Sequence, residues 1–405
     1  MRYYFSLSLE SYFFLEKMNY SLKTISKGYL YAYINEYNNY EDLRRKENLD
    51  LSYKKFKIKQ VARYLNLPNS LHNVFYIFTF LLSKLEVLVY VLVLLLKLSK
   101  YSIEYFVTSK RDVNNKLIMF GISFDNERFV KILNSAKINL DEVVIIKLPS
   151  IKSDYSDFEK LHLFSGINYS DLFCSFIYSV KISFFMKKKY GVRDLMFRSY
   201  TSFEYFLAYF YLKKMDASNS YYFISLLDRW AYLANYTNKN KCLIQHGILY
   251  KYTKAPKIGS VDLAYYINEE QKKICEDVLL KNKPKAYYRA SITFSSSDLL
   301  LKNSFKNILL ICNKFFLKKE EVIIRDLPKR KLNLYIKPHP GDKDISPYKN
   351  LKKECDFVIL AKNDFPKVDF VISYMSTLAD EYENEGITVL RYEDEGFDLK
   401  YKDLG

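Results

Sequence analysis

The sequence predicts an α/β protein: two parallel-sheet domains with a helical region before them. Three observations predict it. From about residue 115 short apolar runs alternate with polar helical stretches, as in a parallel sheet covered on both faces. Two of these runs end in histidine turns, Gln245-His246-Gly247 and Lys337-Pro338-His339-Pro340, and open α/β sheets take ligands at the C-terminal ends of their strands. The chain has 405 residues, enough for two ordinary domains.

The elements follow in order. Residues 1–73 contain helical pieces rich in Tyr, Glu and Lys. Val74 to Leu96 is apolar apart from Ser83, Lys84 and Glu86. That length suffices to cross a bilayer, but a Lys and a Glu near its middle are costly in lipid. A helix packed against the neighbouring domain, or lying at a membrane surface, is expected instead. Strands are expected at 117–122, 143–146, 221–226, 242–245 and 261–267. Further strands are expected at 307–312, 332–336, 357–360, 368–373 and 387–390, with helices at 317–327 and 377–385 among them. Lys283-Pro284-Lys285 and Ser295-Ser296-Ser297 mark the joint. The expected organisation is a helical, membrane-associated region at 1–110, a first domain at 111–280 and a second at 281–405.

Composition narrows the function. The formal net charge is +17, which attracts anions: phosphorylated substrates, acidic lipid or nucleic acid. Abundant Lys, Asn, Ile, Tyr and Phe also fit coding from an AT-rich genome. The basic clusters Arg44-Arg45-Lys46, Lys187-Lys188-Lys189 and Lys329-Arg330-Lys331 are short and scattered, unlike a nucleic-acid-binding arm. The five cysteines form no CxxC pair, so neither a zinc knuckle nor a redox pair is indicated, and a reducing compartment is expected. Glu10 interrupts the N-terminal apolar run that starts at Met1, so no signal peptide is expected. There is no GxGxxG, no GxxxxGK[ST] and no HExxH, which leaves dinucleotide, P-loop and zinc-protease motifs unrepresented.

The chemistry-bearing residues each have a plainer alternative. His339 stands between two prolines that stiffen its turn; it can donate a proton to a leaving phosphate or bind it as a cation, or it can be a structural turn histidine. Lys337 precedes it. His246 precedes Gly247, where a ligand can approach the backbone closely; a satisfied interior histidine is the alternative. Gln245 either orients that turn or contacts substrate. Ser373, Ser376 and Thr377 surround a strand end and helix start, which offers free N–H groups to a phosphate or is only an ordinary cap. Glu381 on that helix can accept hydrogen bonds from ribose hydroxyls or be a solvated acid. Asp228, beyond the 221–226 strand, is a candidate base or substrate ligand.

Taken together, Gln245-His246-Gly247, Lys337-Pro338-His339-Pro340 and the run from Ser373 through Ser376, Thr377 and Glu381 to Gly386 resemble bacterial GT-B glycosyltransferases of surface polysaccharide assembly. Relatives include capsule sialyltransferases and polysialyltransferases, capsular Kdo transferases and the CDP-glycerol glycerophosphotransferases of teichoic acid synthesis. The resemblance covers roughly residues 220–391. It implies two Rossmann-like domains facing a central cleft. It implies that His339 contacts the donor phosphate and acts as general acid, that Ser376 and Thr377 bind the same phosphate, and that Glu381 holds the ribose.

The expected activity is glycosyl transfer from a nucleotide sugar, a cytidine donor such as CMP-sialic acid above all. The acceptor would be a bacterial surface polysaccharide or lipooligosaccharide. No catalytic metal or cofactor is implied. The alternatives are CDP-polyol phosphotransfer of teichoic-acid type and a non-enzymatic basic protein that binds membrane or nucleic acid. The expected partners are the donor, a glycan or lipid-linked acceptor and an anionic membrane surface, without nucleic acid. The expected place is the cytoplasmic side of the cell membrane, peripherally attached. One motif departs from the sialyltransferase pattern. An acid-acid-Gly run occurs only at Asp394-Glu395-Gly396 near the C-terminus, so the general base falls to His246 or Asp228.

Overall fold

The structure, a computed structural model, describes residues 24–33, 68–74, 77, 86–111, 113–121, 126–150, 154–190, 200–224, 226–237, 239–247, 249, 253, 255–290, 305–313, 316–339, 345–361, 364–374, 376–392, 394 and 396–402. The N-terminal stretch from Met1, the cluster Arg44-Arg45-Lys46, Pro340 and the apolar run at 78–85 lie outside the described residues. The chain divides into two compact units, Met1–Ser291 and Ile292–Gly405.

The first unit is built on seven parallel strands: β1 (Leu117–Phe120), β2 (Val143–Lys147), β3 (Glu159–His162), β4 (Ser220–Phe223), β5 (Asn240–Ile244), β6 (Leu263–Tyr266) and β7 (Ala286–Arg289). Their order is β3-β2-β1-β4-β5-β6-β7. Helix α1 (Glu86–Val107) precedes the sheet. The helices α2 (Asn126–Ser135), α3 (Tyr169–Tyr190), α4 (Tyr200–Lys214), α5 (Arg229–Leu233) and α6 (Glu269–Ile274) are distributed among the strands. One sheet face buries Ile118, Phe120, Val144, Ile146, Tyr221 and Phe223 in a cluster shared with α1, α3 and α4. The opposite face buries Met119, Ile145, Tyr222 and Cys242 with Phe129, Ile132 and Leu133 of α2. Burial on both faces makes central parallel strands near-continuous apolar runs, as in Val143–Ile146.

The described parts of the N-terminal region belong to this unit. The helix at 24–33 contributes Ile25, Tyr29 and Tyr33 to the first core cluster. Tyr29 Oη pairs with Thr201 Oγ1 at 2.9 Å, and Tyr205 Oη donates to Ile25 O at 3.1 Å. Gly28 permits this contact, since a Cβ there would stand 2.5 Å from the Tyr205 hydroxyl. Of the apolar run expected from Val74 to Leu96, Val74, Ile77 and the part from Glu86 are described, and from Glu86 it forms a helix that continues to Val107. No helix among the described residues is long and apolar enough to cross a membrane.

Two strands escape the sequence reading, β3 and β7, and they are the two edges of the first sheet. Glu159-Lys160-Leu161-His162 is mostly polar, and every residue of Ala286–Arg289 is exposed. Edge strands lack the apolar run because one side faces solvent, and charge there discourages further pairing. β7 also carries the first sheet past residue 280, where the sequence reading puts the domain boundary.

The second unit holds five parallel strands, β8 (Asn307–Ile311), β9 (Asn333–Lys337), β10 (Val358–Ile359), β11 (Phe370–Ser373) and β12 (Thr388–Arg391), in the order β10-β9-β8-β11-β12. Its helices are α7 (Leu317–Asp326), α8 (Ser346–Leu351), α9 (Thr377–Asn384) and α10 (Phe397–Lys402). Two parallel-sheet, Rossmann-like units with a helical N-terminal region are consistent with a GT-B fold. Counted within its own unit, the first sheet has the order 3-2-1-4-5-6-7 and the second 3-2-1-4-5, so in each the crossover point lies beside the first strand.

One buried carboxylate organises the second unit. Glu320, in the first turn of α7, has no solvent exposure. It accepts hydrogen bonds from Asn313 N at 2.6 Å, Tyr348 Oη at 2.7 Å and Tyr392 Oη at 3.3 Å. It thereby ties the turn after β8 to α8 and to the end of β12. Each buried donor left unpaired costs roughly 1–3 kcal/mol. Glu320→Ala should therefore lower the unfolding free energy by about 3 kcal/mol, read from the denaturant midpoint of the second unit. A midpoint within error of the parent would show that this carboxylate is not a brace.

Candidate functional site

Parallel pairing puts the sequence-predicted residues of the second unit on one sheet edge. Lys337 pairs in register with Ile311, and Ile311 with Ser373. The C-terminal ends of β9, β8 and β11 therefore stand side by side, with β8 in the middle. His339 lies two residues past the end of β9 and is exposed. Ser376 and Thr377 lie beyond β11 and start α9. The strand order reverses beside β8, so this is the edge where open α/β sheets bind ligands.

Two hydroxyls at this edge are unspent. Ser376 occupies the N-cap position of α9 with extended backbone, φ −146° and ψ 130°, yet its side chain makes no capping hydrogen bond. The Ser373 hydroxyl is buried and has no hydrogen-bond partner among the described residues. A buried hydroxyl ordinarily finds a partner. Thr377 and Glu381 are half-buried on the same helix. Asp380, in its first turn, is held from the strand side by Arg391, which also reaches Glu383 at 2.6 Å.

Lys337, the last residue of β9, is turned into the protein. Its side chain is buried. Its ammonium donates to Ala361 O at 2.5 Å and Asp364 O at 2.8 Å, and sits 4.5 Å from the centre of the Phe365 ring. These contacts pin the chain beyond β10 against the end of β9, and so steady the His339 turn. Burial pulls the Lys337 amine down to about 8, with the Asp364 carboxylate pulling the other way.

In the first unit, Gln245, His246 and Gly247 follow β5. Gln245 is completely buried and contacts protein on every side. It donates to Gly247 O at 2.9 Å and to Gln271 Oε1 at 2.7 Å, and it accepts from Ile267 N at 3.3 Å. Gln271 in turn closes on both backbone atoms of Leu249. Gln245 is thus an orienting residue. Gly247 lacks a positive φ, and a Cβ there would meet nothing within 4 Å; its use is open space rather than a special turn. His246 Nδ1 lies 2.8 Å from Ile224 O. A carbonyl only accepts, so Nδ1 carries the proton, and the neutral ring has its lone pair on Nε2. Asp228 caps α5, accepting from Trp230 N at 2.8 Å and Ala231 N at 3.1 Å. That cap employs one carboxylate oxygen.

Sequence reasoning misses a polar cluster in this unit. Glu204 is fully buried on α4, near Arg229 at the start of α5. Its one signal is an acid set inside the aromatic run Phe203-Glu204-Tyr205-Phe206. Among the described residues no group of three or more His, Cys, Asp or Glu side chains comes together as a metal site.

No protein-family model and no curated protein matches this chain. Among solved structures, similar chains include the UDP-GlcNAc 2-epimerase from Neisseria meningitidis bound to UDP-GlcNAc, at 13% identity over 71% of this chain and 85% of that one, with TM-score 0.37. Another is the wall teichoic acid polymerase TagF with CDPG, at 10% identity over 78% and 81%, TM-score 0.34. A third is the UDP-N-acetylglucosamine 2-epimerase from Rickettsia bellii, at 11% identity over 70% and 80%, TM-score 0.33. Likeness at this level bears on neither the activity nor the site residues of this chain.

Lys337 gives a pH test of this geometry. Its folded pKa is about 8 and its ordinary value 10.5. Between these values the unfolded chain holds a proton that the folded chain has lost, so stability rises with pH in that window. Below it the cost of the buried charge stands in full. The unfolding free energy of the parent should therefore gain on that of Lys337→Met as pH climbs from 8 to 10.5. Parallel curves would show that the amine is not desolvated.

Proposed function

We propose that this protein is a transferase using a nucleotide-activated donor, whose phosphate seats at the C-terminal edge of the second sheet. The observation that carries the reading is the pair of unspent hydroxyls, Ser373 and Ser376, beside β8. A phosphate there would receive them together with the Thr377 hydroxyl and the first N–H groups of α9, whose dipole favours negative charge. His339 would supply a proton, or positive charge, as the phosphate departs. Groups fixed before the reaction stabilise such developing charge without reorganising. Glu381, one turn further along α9, is assigned to the ribose, and a cytidine nucleotide is the preferred donor.

The first unit is assigned the acceptor. His246 takes the proton of the attacking hydroxyl at Nε2, and its Nδ1 hydrogen bond to Ile224 O holds the ring in that tautomer. A sugar donor, CMP-sialic acid for instance, and a bacterial surface glycan acceptor make the reaction a glycosyl transfer. A CDP-polyol donor would break the P–O bond at the same phosphate instead. Linkage analysis of the product separates the two, because only the second leaves a phosphodiester. His339→Ala should reduce turnover by about 10²–10⁴ with the fold retained. An unchanged turnover number would remove His339 from the chemistry, and would favour a non-enzymatic basic binding protein if charge reversal of Lys187, Lys188 and Lys189 abolished binding.

The acceptor of such an enzyme is held at a membrane, and α1 fits that setting. Leu92, Leu96, Ile103, Phe106 and Val107 are exposed along it, with Lys100 exposed on the same helix. Exposed apolar side chains with basic neighbours suit an anionic lipid surface, where each cation contributes about 1 kcal/mol and salt screens it. We therefore expect peripheral attachment at the inner face of the cell membrane: partial release by high salt and fuller release by alkaline carbonate. No affinity for anionic vesicles at low salt would contradict it.

A further inference from the structure

The donor reading leaves one charged cluster of the first unit without work. Glu204 has no solvent exposure, and accepts from Tyr101 Oη at 3.2 Å and Ser150 Oγ at 2.8 Å. The Arg229 guanidinium lies 3.9 Å from the same carboxylate, inside ion-pair range but beyond a hydrogen bond. Its other neighbour is the Trp230 ring, 4.5 Å away. Arg229 Nε is buried, and no hydrogen-bond partner for it exists among the described residues. A guanidinium offers five donors in a fixed fork, and among the described residues none of them is seen in a hydrogen bond. Lys97 of α1 shares this field: burial lowers its pKa, the Glu204 charge raises it and the Arg229 charge lowers it.

The Glu204 carboxylate is thus already occupied by two hydroxyls, with Arg229 held near it at ion-pair distance only. The position matters as much as the charge. Arg229 follows the turn at the C-terminal end of β4, and β4 pairs with β1. The strand order of the first sheet reverses at that pair, so this is its ligand-binding edge. Trp230 stacks on Phe120 of β1, with ring centres 5.1 Å apart, which fixes the aromatic floor under the guanidinium.

We propose that Arg229 binds an oxyanion group of a second ligand in the first unit, a phosphate ester or a carboxylate. Glu204 is a positioning residue: it holds the guanidinium by charge and leaves the donors of the fork to the ligand. Arginine suits the task because its planar fork matches either oxyanion in a bidentate pair. None of its residues belongs to the second unit, which is assigned the donor phosphate, and it goes beyond the assignment of donor and base.

Trp230 is the single tryptophan of the chain, so its emission reports on this site alone. Inorganic phosphate and acetate, each titrated into the full chain against chloride of equal ionic strength, are the two probes. The expected result is a saturable change in Trp230 emission that chloride does not produce. Tighter phosphate would assign a phosphate ester, and tighter acetate a carboxylate. Arg229→Gln should weaken the tighter anion by about tenfold or more, while His339→Ala leaves the curve unmoved even if it abolishes turnover. If Arg229→Gln does not fold, Arg229→Lys keeps the charge without the fork, and should bind more weakly at an unchanged melting temperature. The proposal is overturned if neither anion gives a saturable change beyond chloride, or if a folded Arg229 variant returns the parent curve.

Discussion

Parallel strand pairing is the constraint on which the rest depends. In a parallel sheet every strand ends on the same edge, so residues far apart in sequence are delivered to one line. Lys337, Ile311 and Ser373 share a register row, and the turns that follow them carry His339, the loop at Asn313 and Ser376. The same rule in the first unit lines up the ends of β1, β4 and β5, and with them Trp230, Arg229 and His246. A helix must return the chain to the start of each new strand, and the helix after a strand end presents its N-terminus at that edge. Anion binding is therefore an outcome of the topology before any side chain is chosen.

What the topology delivers, buried polar groups hold still. Glu320 braces the turn after β8 from below, Lys337 pins the chain after β10 to β9, and the paired amides of Gln245 and Gln271 lock the turn after β5 to α6. Each of these side chains is buried and fully engaged with protein. Ser373, Ser376 and Arg229 show the opposite condition, donors at the same edges without a hydrogen-bond partner among the described residues. The proposed ligand contacts are drawn from that second set.

Much of this was legible in the sequence, for identifiable reasons. The central strands announce themselves because both faces are buried, so Val143–Ile146 and Asn307–Ile311 are nearly unbroken apolar runs. Helix α9 begins where the Ser376-Thr377 pair predicts. The edge strands were not legible, because β3 is mostly polar and the four residues of β7 are exposed and form no long apolar run. Asp228 reads as a possible base from its place after a strand; as a cap, it is a residue whose carboxylate turns back to its own helix. Lys337 reads as a phosphate ligand from its neighbour His339, whereas its partners are carbonyls more than twenty residues onward, which no local pattern discloses. Glu204 and Arg229 come together through tertiary packing alone.

The central claim is that the second unit holds a nucleotide by its phosphate at the β9, β8 and β11 ends. Melting temperatures of the full chain with CMP, CDP, UDP and GDP, taken in parallel on the double variant Ser376→Ala and Thr377→Ala, test it most directly. A ligand at a hundred times its Kd stabilises the folded state by about 2.7 kcal/mol. The account predicts that a cytidine nucleotide raises the melting temperature of the parent and that the double variant loses most of the rise. No stabilisation by any of the four nucleotides, or an equal rise in the double variant, would contradict it.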